Sequence, residues 1–322
     1  MAIPCIHDCD PGHDDAVALL LAAAHPALDL RAITTVGGNA PLDKVTLNAR
    51  RVCTLAGIRD VPIAAGAEGP ADGTLDPAVD VHGESGLDGP ELPAPDVPLD
   101  SRSAVELIGS TLEEADEPVT IFATGPLTNV AAALERVSRD RIREIVWMGG
   151  STERGNRTPY AEFNAWVDPV AAQAVLDSGV RFTMVGLNLT HQARATAEVI
   201  ARMHALGTPL GDTVAGWFEY FGESYLARFG HSAPPVHDPC AVALVAEPGI
   251  VRCVDAFMAV ETAGRWTRGA TVVDLHGRLG REPNARIAVE LDFDRFWDVV
   301  VAAVERLGPL TSSARTPALR DR

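Results

Sequence analysis

Four aspartates, Asp8, Asp10, Asp14 and Asp15, lie within the first 15 residues, in the run His7-Asp8-Cys9-Asp10-Pro11-Gly12-His13-Asp14-Asp15. An apolar stretch, Ile3 to Ile6, precedes the run, and a helical one, Ala16 to Ala24, follows it. With strand, turn and helix in that order, Asp8 and Asp10 share one face of the strand end. Pro11-Gly12 make the turn, and Asp14 and Asp15 enter the first helical turn. Carboxylates this close repel unless something positive sits among them. An all-oxygen donor set suits a hard cation, calcium or magnesium, rather than zinc. Asp14 or Asp15 alone could be an ordinary helix-start acid. Asp8 and Asp10, at the end of a buried strand, would be uncompensated charge. A metal or proton-transfer site is expected here.

Further along, Gly37-Gly38-Asn39 would let backbone and one amide approach a ligand, although alone it reads first as an ordinary turn. His82-Gly83-Glu84-Ser85-Gly86-Leu87, inside a Pro/Gly/Asp-rich stretch from Gly66 to Asp100, suits either a flap over a substrate or a solvated loop. In extended backbone, Glu162 and Asn164 share a face with Phe163 opposite, an arrangement that could hydrogen-bond a polyhydroxylated ligand. Asp168-Pro169 reads as a helix cap followed by Pro at the first helical position. Asp238-Pro239 has the same form, but His237 immediately before it offers a general acid near neutral pH. His25, His191, His204 and His276 are assigned to surface or core.

The elements that must position these groups alternate. Strands are expected at Ile3–His7, Leu28–Val36, Val61–Ala64, Val119–Ala123, Ile145–Met148 and Phe182–Val185. Between them, helices are expected at Ala16–Ala24, Leu42–Leu55, Ser103–Ala115, Asn129–Val137 and Pro169–Ser178. Such alternation builds βαβ units, hence an α/β fold with an open, mainly parallel sheet flanked by helices and a Rossmann-like core. Ligands then bind beyond the carboxyl ends of the strands. The aspartates, Gly37-Gly38-Asn39, Thr124-Gly125-Pro126 and Met148-Gly149-Gly150 all follow strands. The C-terminal part adds helices (Ala193–Leu206, Val214–Phe229, Pro239–Val245), antiparallel strands (Ala256–Thr262, Thr271–Leu275, Ala285–Leu291) and a closing helix, Phe293–Leu307. One domain over residues 1–310 is expected, with 311–322 a disordered tail.

The formal net charge of −17 argues against nucleic acid or an anionic membrane as partner, since both are polyanions. No apolar run reaches the roughly 18 residues a membrane helix needs, and no secretory leader is visible. Five cysteines without a CxxC pair read as free thiols in a reducing, cytoplasmic setting.

The motifs Asp-Cys-Asp-Pro-Gly-His-Asp-Asp-Ala, Gly-Gly-Asn, His-Gly-Glu-Ser-Gly-Leu, Ala-Thr-Gly-Pro-Leu-Thr-Asn, Met-Gly-Gly, Ala-Glu-Phe-Asn and His-Asp-Pro-Cys, in this order, resemble the nucleoside hydrolase family. The likeness is greatest to the inosine–uridine-preferring N-ribohydrolases and spans residues 3 to about 308. The resemblance implies the nucleoside hydrolase fold and calcium-dependent cleavage of ribonucleosides, purine or pyrimidine, to ribose and free base. It implies calcium held by Asp10, Asp15, the Thr124 carbonyl and Asp238. Asp14 and Asn39 would hold the ribose 2′ and 3′ hydroxyls, and Asn156, Glu162 and Asn164 its 5′ side, with Met148 also at the substrate. Asp8 would orient its neighbours. Asp10 would be the base towards a metal-activated water, and His237 the acid for the leaving base. His82, Phe163, Phe221 and Tyr225 would stand at the base end. It further implies a homodimer or homotetramer. His13 stands where relatives more often carry an apolar or small residue, and Phe221 where some carry tyrosine. Two rivals are a magnesium-dependent phosphatase-like hydrolase, for which no phosphate-binding lysine is evident, and a nucleoside-binding protein without turnover.

Overall fold

The structure is a computed structural model describing residues 1–71, 73, 75–230 and 233–312. Its strands are β1 (Ile3–Cys9), β2 (Leu28–Thr35), β3 (Ile63–Ala65), β4 (Val119–Ala123), β5 (Ile142–Met148), β6 (Phe182–Val185), β7 (Val251–Val260), β8 (Thr271–Asp274) and β9 (Ala285–Leu291). They form one nine-stranded sheet in the order β3-β2-β1-β4-β5-β6-β9-β7-β8. Strands β1 to β6 pair in parallel, and β9 joins β6 in parallel. Only β7 is antiparallel to its neighbours, β9 and β8. The expected open, mixed, mainly parallel sheet is therefore what the chain forms.

The order reverses between β1 and β4, the position at which open α/β sheets bind ligands. Strand β1 brings Asp8 and Asp10 to that crevice, and β4 brings Thr124. One face is covered by helices His13–Ala24, Pro239–Ala246 and Phe293–Ser312, which pack on one another. Helices Ala104–Glu114, Thr128–Leu134 and Pro169–Asp177 cover the other face. His13–Ala24 is apolar on every side after its first turn and is buried along nearly its whole length, as an all-round apolar helix must be. Its contact with Pro239–Ala246 joins the N-terminal aspartates to His237 and Asp238.

Several boundaries differ from expectation. The expected helix from Ala193 begins only at Ala197, because the Thr196 side chain caps it by accepting from the Val199 N–H. Strand β7 starts at Val251, before the expected Ala256, since pairing with β9 extends to Val251–Leu291. Two short helices, Val79–His82 and Leu187–Thr190, fall where no periodicity could show in four residues. The closing helix runs to Ser312, into the expected tail, and residues 313–322 lie outside the described residues. All five cysteines are unpaired, and no helix among the described residues is long and apolar enough to cross a membrane.

Candidate active site

Five aspartates, Asp8, Asp10, Asp14, Asp15 and Asp238, converge at the crevice and all are buried. Among the described residues, no lysine or arginine pairs with any of them. Burial pushes every one of these carboxyls up, Asp8 to about 7 and Asp14 and Asp15 to about 6. Asp10 and Asp238 are pushed further, by burial first and then by the charge of their acidic neighbours.

Each carboxylate is nevertheless held differently. Asp8 Oδ1 accepts from Thr34 Oγ1 at 2.6 Å and Asn129 Nδ2 at 2.8 Å, tying β1 to β2 and to the helix after β4. Asp10 Oδ2 accepts the Asn39 backbone N–H at 2.7 Å, while its Oδ1 is buried without a partner. Asp15 is the most fully bonded. Its Oδ1 accepts from Thr124 Oγ1 at 2.8 Å and its Oδ2 from Gly12 N–H at 3.1 Å and Asn39 Nδ2 at 3.0 Å. Behind Thr124 stands His7, whose Nε2 lies 3.0 Å from the same hydroxyl. Because that hydroxyl donates to Asp15, His7 Nε2 must be the donor to it. Burial keeps the His7 ring neutral, with its pKa down to about 3.

Asp14, Asp15 and Asp238 each bring one carboxylate oxygen within 4.8 Å of the others. An ordinary N-cap would explain Asp238 only if its side chain accepted from the helix it precedes. It makes no such bond. Asp168, in the same Asp-Pro setting, does, accepting from Ala171 N–H at 2.9 Å. The Asp238 carboxylate is thus directed to the cluster rather than to its own helix. Repelling carboxylates, an orphaned Asp10 oxygen and an all-oxygen donor set fit a hard divalent cation. The Thr124 carbonyl accepts from Asn164 Nδ2 at 2.9 Å.

The two glycines before Asn39 serve close approach rather than a turn that only glycine permits, since neither has positive φ. A Cβ on Gly38 would stand 2.0 Å from Asp10 Oδ2, and one on Gly37 2.1 Å from the Glu68 carbonyl oxygen. The Asn39 amide can reach Asp10 and Asp15 only because nothing projects there.

Beside the aspartates opens a pocket. It is lined by Asp14, Asn39, His82, Thr124, Met148, Asn156, Glu162, Phe163, Asn164, Phe221, Tyr225, His237 and Asp238, so the structure brings these expected residues together. Asp8, Asp10 and Asp15 do not line it but are hydrogen-bonded to Asn39 or Thr124, which do. Ala78, Asp80, Val81 and Arg157 also line it; no periodicity or motif singles them out. The extended geometry expected for Glu162–Asn164 is not what forms. Phe163–Val167 is a short helix, and Glu162 is its cap, accepting from Asn164 and Ala165 N–H at 2.9 and 3.0 Å. Glu162 Oε2 also accepts Gly150 N–H at 2.8 Å. Asn156 Oδ1 accepts Phe163 N–H, and Asn164 Nδ2 donates to the Thr124 and Met148 carbonyls. Capping overrides extension because three backbone donors converge on one carboxylate.

At the other end of the pocket, His237 Nδ1 lies 2.7 Å from Thr190 Oγ1 and its Nε2 3.3 Å from the Tyr225 hydroxyl. Its backbone N–H donates to Asp14 Oδ2 at 3.1 Å. His191 is exposed, yet its ring lies 5.9 Å from that of His237. The segment around His82 folds back on itself. The Asp88 carboxylate accepts from Glu84 and Ser85 N–H, and Asp88 N–H donates to the His82 carbonyl. His82 and Leu87 are both buried.

The profile of the inosine-uridine preferring nucleoside hydrolase family matches residues 5–298, which includes every residue placed in the pocket or beside it. The chain belongs to that family. A pyrimidine-specific ribonucleoside hydrolase, RihA, of Citrobacter koseri is 46% identical over 303 residues, covering 93% of this chain and 97% of the relative. RihA of Salmonella paratyphi A is 45% identical, covering 95% and 99%. Among solved structures, a purine-preferring ribonucleoside hydrolase from Gardnerella vaginalis superposes with a TM-score of 0.88 at 28% identity, covering 95% and 99%. A plant nucleoside hydrolase gives 0.86 at 28%, covering 96% and 99%. The present nucleoside hydrolase is accordingly an enzyme whose substrates are ribonucleosides.

Proposed function

We propose that this nucleoside hydrolase cleaves the N-glycosidic bond of ribonucleosides, pyrimidine ones foremost, in a calcium-dependent reaction. The observation that carries the reading is the set of buried carboxylates, without a basic partner among the described residues, that adjoins a pocket lined by Asp14, Asn39, His237 and Asp238. The pyrimidine preference rests on the names of relatives 45–46% identical to the chain.

Asp10, Asp15, the Thr124 carbonyl and Asp238 would hold the ion, with Asp14 beside them. Calcium there supplies positive charge among the carboxylates and Lewis-acid activation of water. Asp14 and Asn39, which line the pocket, hold the ribose 2′ and 3′ hydroxyls. Asn156, Glu162 and Asn164 form the wall for its 5′ side, and Met148 packs beneath the sugar. Asp8 orients β1, β2 and Asn129 around the cluster. Asp10 is the general base. One of its oxygens is anchored by the Asn39 N–H and the other is buried without a hydrogen-bond partner, so it can take a proton without losing its position. Loss of the base leaves oxocarbenium character on the ribose, which the surrounding carboxylates stabilise.

His237 serves as the acid for the departing base; it lines the pocket, as does Tyr225, whose hydroxyl lies 3.3 Å from its Nε2. Phe163, Phe221 and His82 enclose the base. His237→Ala is expected to lower kcat/KM for inosine and uridine about 100-fold. p-Nitrophenyl riboside, whose leaving group needs no proton, should lose far less. Steady-state kinetics on both substrate types check this, and equal losses would remove His237 as the acid.

Chromatography of products from uridine, cytidine, inosine, adenosine and guanosine tests the reading. Free base and ribose are expected from the pyrimidine nucleosides first. Inorganic phosphate released from nucleotides in place of base would instead favour a phosphatase. Tight nucleoside binding without cleavage would favour a binding protein.

A further inference from the structure

His13 sits inside the aspartate run, yet no step above uses it. Its ring is buried and stacked, with centroids 5.2 Å from His82, 5.3 Å from Tyr220 and 5.5 Å from Phe221. Its Nε2 lies 2.7 Å from the Asp88 carbonyl oxygen, and its Nδ1 lies 3.0 Å from His82 Nδ1. A carbonyl has no proton to give, so His13 Nε2 must be the N–H in that contact. Neutral His13 then presents a lone pair at Nδ1. Two bare lone pairs cannot face each other at 3.0 Å, so His82 Nδ1 carries the proton between them. The His13 backbone N–H also approaches His82 Nδ1, at 3.4 Å, the longer and weaker of the two contacts. Both rings are buried, which favours their uncharged form. A neutral imidazole carries one proton, which leaves His82 Nε2, on a residue that lines the pocket, as a bare acceptor.

We propose that His13 is a positioning residue that fixes the tautomer of His82, so that His82 meets the nucleobase with the lone pair of Nε2 and selects bases that present an N–H donor there. Uracil and cytosine both carry such a donor, a ring N–H in one and an amine in the other. The Asp88 carbonyl is the fixed end of the chain: the Asp88 carboxylate is bonded to Glu84 and Ser85 N–H, and a Cβ at Gly83 would strike that carboxylate. This inference rests on the nucleoside-hydrolase reading for its substrate, though not for its tautomer.

The test uses the full, calcium-supplemented chain. Long-range 15N–1H spectra of the histidine side chains, assigned with His82→Gln, should place the His82 proton on Nδ1. His13→Phe keeps the stacked ring but removes the acceptor, and should move that proton to Nε2. His13→Asn, which returns an acceptor near the position of Nδ1, should restore it. In kinetics, His13→Phe should raise KM for uridine about tenfold, the worth of one hydrogen bond. It should leave p-nitrophenyl riboside, which has no N–H on its leaving group, within about twofold by the same reckoning, and His13→Asn should recover most of the uridine loss. A wild-type His82 with its proton on Nε2 would overturn the proposal, as would equal losses on the two substrates. The spectra report on the tautomer even if no nucleoside is cleaved, which separates failure of this inference from failure of the functional reading.

Discussion

Asp10→Asn is expected to lower kcat about 10³-fold or more on every ribonucleoside cleaved, with a much smaller change in KM. The asparagine oxygen can still accept the Asn39 N–H that Asp10 Oδ2 accepts at 2.7 Å, so the loop after β2 keeps its place. What is lost is the ability of the unpartnered Oδ1 to take a proton. A general base acts on the transition state, so the loss falls on kcat rather than on binding. Steady-state kinetics on uridine and inosine give the measurement, with circular dichroism to show that the fold persists. A variant retaining a tenth or more of the wild-type kcat would show that another group is the base.

Removal of the divalent cation is expected to destabilise the protein, and more at high pH than at low. The sign follows from the direction of the shifts. Asp8 is raised to about 7 and Asp14 and Asp15 to about 6, against an ordinary value of 3.8. Glu162 is raised to about 7 from 4.5. The cation-free folded state therefore binds more protons than the unfolded state between roughly pH 4 and 7. The contribution of these groups is fully present below their unfolded values and is lost as pH rises through the folded ones. The cation-free protein should lose Tm steadily from pH 5 to pH 8. A bound cation replaces the missing protons, so calcium should raise Tm little at pH 5 and by about 10 °C or more at pH 8. Thermal melts with chelator and with calcium across that range test this. A calcium effect equal at both pH values would argue against ion binding by these carboxylates.

Much of the site was legible because its chemistry is local in sequence. Asp8, Asp10, Asp14 and Asp15 follow one another across a strand, a turn and a helix, and alternation of apolar runs placed β1, β4 and β6 to within a few residues. Asp238 and His237 could be found only as an Asp-Pro helix start. Whether Asp238 caps its helix or faces the cluster depends on the packing of Pro239–Ala246 on His13–Ala24, which no local pattern carries. Glu162 departs from the expected extended face for a similar reason. A five-residue helix has too little periodicity to announce itself, and its cap is recognised only when the Gly150, Asn164 and Ala165 N–H groups are seen to converge. His13 was invisible in role because its partners, His82 and Asp88, lie about 70 residues away, beyond any local pattern.

The most direct measurement follows uracil and ribose released from uridine by the purified protein before chelation, after the divalent cation is stripped, and after calcium is returned. Turnover should fall to about a thousandth on stripping, the several kcal/mol a catalytic ion supplies, and recover with calcium. Undiminished release of uracil from the stripped protein, or no release under any of the three conditions, would contradict the account.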